Sequence, residues 1–218
     1  MHRIIDLLTQ STLETLYMVS LSTLFALSLG FPLGILLVIT KKDNILPKEK
    51  FNRTLNTIIN ISRSIPFIIL MIILFPLSRI IVGTTIGTTA SIVPLSIAAS
   101  PFVARMIESA LLEVDPGVIE AVKAMGSTPW QMITKVLIPE TLPSIVLGIT
   151  ITIINIISYS AMAGAIGGGG LGNLAIRYGF HRFETTILIA AVVVLVVLVQ
   201  IVQSIGNKLS NILLERIS

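Results

Sequence analysis

Residues 115–139 read DPGVIEAVKAMGSTPWQMITKVLIP. This internal stretch is too polar and too punctuated to sit in a bilayer, yet long apolar runs lie on both sides of it. Its punctuation predicts two short helices in succession. Asp115 suits an N-cap, and Pro116 suits the first helical position, where a missing N–H costs nothing. Gly126 can adopt the left-handed conformation that ends a helix. Thr128 caps the second helix, with Pro129 at its first position and Gln131 placed for a capping box. Pro139 closes it. On a 3.6-residue period, Gly117, Ala121 and Ala124 form a stripe almost without side chains. Val118, Val122 and Met125 form a bulkier apolar stripe beside it, and Glu120 and Lys123 point elsewhere. Small residues admit another backbone, and the apolar stripe needs a cover. Such a piece is built to be held in a groove.

The 218 residues are 54% hydrophobic and 12% charged, with a mean hydropathy of +0.96. Soluble domains are about a quarter charged, so this composition, with its long uncharged runs, is that of an integral membrane protein, and runs of that length make the expected fold class all-α. The chain has no cysteine, which excludes disulfides and thiolate metal sites. His2 and His181 are too far apart for a local histidine metal motif. The net charge of +4 belongs to loops beside hydrophobic spans and not to a nucleic-acid surface. The first residues carry Arg3, Asp6 and Glu14 with no small-residue cleavage site after the first apolar run, so an uncleaved first helix is expected.

A span needs roughly 20 apolar residues to cross about 30 Å of hydrocarbon. Five segments qualify, at about 16–40, 55–78, 89–108, 143–166 and 185–206. They leave a loop at about 109–142 that contains the opening stretch. In the first span, Gly30 and Gly34 form a GxxxG pattern around Pro32, read either as a close helix contact or as an anchor that tolerates Gly and Pro. A basic loop over 41–53 follows. Arg63, at the start of the second span, is expected to snorkel to the interface, and Pro66 to kink that span. Arg105 and Glu108 are spaced to pair on one helix face. The fourth span carries Asn155, Ser158, Tyr159 and Ser160, polar groups that face protein or a cavity at membrane depth. Met162 follows, as core packing or as an adaptable apolar gate. Asn155, Tyr159, Ser160 and Met162 are therefore the candidates for a translocation pathway.

With five spans, the N-terminus and loops two–three and four–five share one side, which holds Arg3, Arg79, Arg177 and Arg182. The other side holds the remaining eleven of fifteen Lys and Arg. The positive-inside rule then places the N-terminus outside, the C-terminus in the cytoplasm, and the loop at 109–142 in the cytoplasm.

The run EAVKAMGSTPWQMITKVLIP resembles the EAA loop of bacterial ABC-importer permeases, whose pattern is E-A-A, three residues, Gly, nine residues, I-x-L-P. Glu120, Ala121, Gly126 and Pro139 match in register. Val122, Val136 and Ile138 depart from the pattern but stay apolar. RSIPFIIL at 63–70, PFVARMIESALLEV at 101–114 and YSAMAGAIGGGGLGNL at 159–174 extend the resemblance to the permeases of methionine-uptake ABC importers. The resemblance implies a type I importer permease of five spans in the inner membrane, acting as a homodimer. It implies two ATPase subunits, an extracytoplasmic substrate-binding protein, and methionine or another small solute as cargo. It makes Gly117, Glu120, Ala121, Lys123, Ala124, Gly126 and Pro139 the ATPase-docking residues. ATP and Mg belong to the partner, because this chain lacks the phosphate-binding loop and carries no cofactor of its own.

Gly167, Gly169 and Gly172 satisfy the dinucleotide pattern G-x-G-x-x-G, but no strand precedes them, so a nucleotide role is rejected. They mark either an outer turn or a non-helical segment beside a cavity. An intramembrane enzyme is disfavoured by the lack of H-E-x-x-H and of a Ser–His pair at depth. A pure scaffold would not need the polar interior of the fourth span.

Overall fold

Helices account for the secondary structure of the computed structural model, which describes residues 2–42 and 44–217. Asp43 of the basic loop lies outside the described residues, as do Met1, Ser218 and the side chains of His2, Arg216 and Ile217. Among the described residues, four helical segments are long and apolar enough to cross a membrane, and a bent helix pair passes the same test jointly.

Helix α1 covers His2–Ile39, 38 residues, or about 57 Å at 1.5 Å per residue. It begins well before the apolar run because its first turns have protein to pack on: Ile4, Leu7 and Leu8 cover Leu171, Leu174, Ile187 and Ala191. Pro32 lies inside it without ending it. The GxxxG pattern is a close contact. A Cβ on Gly30 would lie 2.5 Å from the Ser100 carbonyl oxygen, and one on Gly34 2.6 Å from the Ile107 Cβ. Both partners are on α4 (Thr88–Leu111). Within lipid, van der Waals packing between small residues replaces the hydrophobic effect as the force joining helices. α4 meets that demand with Ala90, Ser91, Ser96, Ala99, Ser100 and Ala104, all buried. It is the central post of the molecule. Val103 and Ile107 on α4 share a core with Ala26, Val38, Leu137, Ile145 and Ile156.

The second span is not one helix. α2 (Glu49–Ser64) and α3 (Phe67–Val82) meet at 106°. Proline disfavours helical geometry in the residue before it and removes a donor, and Ile65 is extended at φ −81°, ψ 125°. The kink expected at Pro66 is thus a corner. α3 ends at Gly83, left-handed at φ 86°.

Between α4 and the next long helix lie α5 (Pro116–Ala124) and α6 (Pro129–Met132). Pro139 does not close α6. A π-helical turn over Ile133–Leu137 and α7 (Ile138–Glu140) carry the chain onward, and the break falls at Thr141. The widened turn sends the Ile138 N–H to the Ile133 carbonyl. Proline has no N–H to give, so such a shift lets it sit within a helical path. α8 (Leu142–Ala165) follows.

The glycine run reverses the chain. Gly167 and Gly169 have φ of 92° and 79°, and α9 (Gly170–Leu174) returns alongside the last turns of α8. Gly164 and Gly172 let the two backbones touch, since a Cβ at either would strike backbone atoms of the other helix. A π-helical turn over Ala175–Phe180 continues it, so Arg177 is helical and not in a loop. α10 (Thr185–Ile217) extends past the apolar run through Lys208. Ile189, Val193, Val197, Ile201 and Ile205 line its exposed side, an exterior suited to hydrocarbon.

Candidate docking helix and membrane cavities

The caps that the sequence requires at the central loop are formed. The Gly117 N–H donates to the Asp115 carboxylate at 2.6 Å. Thr128 and Gln131 form a reciprocal capping box. Gly126 is left-handed at φ 78°. The N–H groups of Gly126 and Ser127 reach back to the Lys123 and Val122 carbonyls, a Schellman closure that fixes the length of α5.

No residue of α5 is buried. Ile119 and Val122 are half-buried and pack on the main core. At 100° per residue, Gly117, Ala121 and Ala124 lie on the opposite side of the helix. The stripe with least side chain therefore faces away from the molecule, with Glu120 beside it. The expected bulky stripe divides: Val122 is covered by this chain, whereas Val118 is 41% and Met125 75% exposed. Trp130 stands out nearby at 73%. Lys123, Gly126 and Pro139 are exposed as well. A narrow helix seated by two side chains, with a nearly bare outer face and apolar shoulders, can enter a groove and transmit force through α4 and α8.

The pathway candidates do not converge. Tyr159 stacks on Phe67, with ring centroids 4.5 Å apart and planes 6° apart. The pair walls a cavity of about 170 Å³. Met162, 44% exposed, faces another space. With Ile68, Ser158, Leu195, Val196 and Gln200 it lines an apolar groove of about 640 Å³ between α8 and α10. Asn155 is half-buried. Ser160 is 2% exposed and donates to the Ile157 carbonyl at 2.7 Å. Its hydroxyl is thus engaged within its own helix.

Arg105 pairs with Glu108, as their spacing predicts. Arg105 also donates to the Asn60 amide oxygen at 2.8 Å, tying α2 to α4. Arg63 is exposed in the last turn of α2. It shares its cavity with Ala98 and Phe102, midway along α4. Phe67 gives no sign of its role in the sequence, although it sits directly after the proline that makes the corner. Glu14 and Thr15 are equally silent there. In the fold they accept the Gly170 and Leu171 N–H groups at 2.8 and 2.9 Å.

Known proteins agree with this architecture. The probable D-methionine transport system permease protein MetI of Vibrio cholerae is 56% identical over 204 residues, which are 94% of this chain and 91% of that one. Its counterpart in Pasteurella multocida is 53% identical over 96% of both chains. The D-methionine transport system permease protein MetI of Escherichia coli K12 is 51% identical over 72% of this chain and 73% of its own. A solved structure of inward-facing conformations of the MetNI methionine ABC transporter superposes with a TM-score of 0.96. It is 45% identical, covering 98% of this chain and 99% of that one. An amino acid ABC transporter solved with histidines shares the fold at a TM-score of 0.73 and 19% identity, covering 99% and 96%. The fold is thus that of a type I ABC importer permease. The family model for the binding-protein-dependent transport system inner membrane component matches residues 30–211, and the chain belongs to that family.

Proposed function

We propose that this chain is the membrane-spanning permease subunit of an ATP-driven importer that moves methionine across the bacterial inner membrane. Two copies enclose the path, and two ATPase subunits hold the α5 helices. An extracytoplasmic binding protein delivers the substrate. The chain performs no chemistry. ATP and Mg are held by the ATPase, and closure of the ATPase pair pushes α5. α4 and α8, joined to the docking loop, then rock the path between inward- and outward-facing forms. The N-terminus lies outside and the C-terminus inside, supported by eleven of fifteen Lys and Arg on the docking-loop side. Glu120 and Lys123 supply polar contacts at the groove rim, and Met162 serves as an apolar gate.

The observation that carries this reading is the bare outer face of α5, formed by Gly117, Ala121 and Ala124 opposite the seated Ile119 and Val122. The relatives named for methionine transport supply the substrate. Purification of the tagged full-length chain should bring down one ATPase. Proteoliposomes holding that complex and its binding protein should take up labelled methionine when ATP is supplied. Absence of a stable ATPase partner, or uptake that excess methionine does not compete, would overturn the reading.

A further inference from the structure

The corner between α2 and α3 has a chemistry of its own. It opens on the cavity of about 170 Å³, lined by Ser62, Arg63, Phe67, Leu70, Phe102 and Tyr159. Ala98 and Phe102 lie in the interior of Thr88–Leu111, so the cavity sits against the middle of α4. Arg63, an exposed residue in the last turn of α2, brings a guanidinium to that wall. Arg105–Glu108 is the one ion pair among the described residues, so no described carboxylate of this chain neutralises Arg63. The opposite wall is apolar: the parallel Phe67–Tyr159 stack, with Leu70 and Phe102.

The broken backbone adds to this. Proline offers no N–H, so the Ser62 carbonyl, four residues earlier, lacks its helical donor. The first N–H groups of α3 likewise lack helical acceptors. The corner therefore places a cation, spare donors, a spare carbonyl and an aromatic wall around a space fit for one small molecule.

We propose that this cavity is a transient subsite for a free α-amino acid with a flexible apolar side chain. The carboxylate pairs with the Arg63 guanidinium, in the charge-assisted geometry that arginine favours. The ammonium meets the carbonyl end of α2. The side chain lies on the Phe67–Tyr159 stack, where a thioether makes favourable sulfur–aromatic contacts. The subsite rests on the reading of the chain as an amino-acid importer and extends it: the permease itself, and not the binding protein alone, senses the carboxylate.

The test uses the permease–ATPase complex in nanodiscs without binding protein, probed with labelled L-methionine. Wild type should bind it, and 3-methylthiopropylamine, which lacks the carboxylate, should compete poorly. Arg63→Gln should weaken methionine binding about tenfold or more, with Arg63→Lys between the two. Arg79→Gln, near the outer end of α3, should leave it unchanged. A diazirine analogue of methionine should label peptides containing Phe67, Phe102 or Tyr159, a readout that does not depend on a variant folding. Equal competition by the amine, unaltered binding in Arg63→Gln, or labelling confined to the Met162 groove would overturn the subsite. So would wild type that imports methionine but binds none without its binding protein. Failure of wild-type proteoliposomes to import methionine would instead sink the transport reading, so the two failures are separable.

Discussion

The Gly170 N–H donates to the Glu14 carboxylate at 2.8 Å, joining residues 156 positions apart. The next residues repeat the link, with the Leu171 N–H donating to the Thr15 hydroxyl at 2.9 Å. The first N–H groups of a helix have no partner within it. Here the long first helix supplies the cap for α9, which the glycine turn could not supply itself. Glu14 and Thr15 of α1 hold the reversal in place.

Replacing Glu14 with Ala leaves the Gly170 N–H without its acceptor at a part-buried site. The expected loss is about 1–3 kcal/mol, seen as a lower unfolding temperature by calorimetry of the purified chain in detergent. Glu14→Gln keeps an acceptor oxygen and should recover most of the loss. Equal destabilisation by both variants would show that the carboxylate acts through charge and not as a cap.

Gly30 and Gly34 carry the contact of α1 with α4. A leucine at either position would drive side-chain atoms into Ser100, Val103, Ala104 or Ile107. Overpacking of this kind costs about 1–3 kcal/mol or more. Gly30→Leu and Gly34→Leu should reduce the monodisperse fraction on size exclusion and lower the unfolding temperature. Ala124→Leu on the exposed helix α5 should change neither measurably.

Ala121 tests docking without testing folding. It is exposed on the outer face of α5, so Ala121→Phe should leave membrane insertion and unfolding temperature unchanged. It should abolish ATP-dependent uptake and release the ATPase during purification. Survival of both uptake and ATPase co-purification would place the docking surface elsewhere.

Ser160 and Met162 should separate sharply although they are close neighbours. Ser160→Ala removes a hydroxyl that is engaged only with Ile157 in its own helix. Uptake should stay within about twofold of wild type, since a change that leaves no buried group unpaired and opens no large cavity has a small effect. Met162→Ala should leave stability nearly intact, because the side chain is 44% exposed. It should also admit substrate leak in vesicles without ATP. No leak from Met162→Ala would remove it from the gate.

Much of this protein is legible residue by residue. Uncharged runs of membrane length, the two proline-started helices and the cap chemistry at Asp115, Thr128 and Gly126 are local properties. A hydrophobic stretch or a hydrogen bond over two or three residues needs no distant partner to be predicted. The register of Glu120, Ala121, Gly126 and Pro139 is equally local. Contacts between remote positions decided the rest. Pro139 reads as a stop, but a π-helical turn before it carries the chain into α8. Val122 reads as part of a docking stripe, but the core under α5 takes it and leaves the small residues outermost. Arg63 reads as an interfacial cation, and the 106° corner at Ile65–Pro66 sets it beside the middle of α4. Periodicity states which residues share a face of a helix. It cannot state what that face meets, because packing across more than a hundred positions of chain sets the direction in which each helix turns.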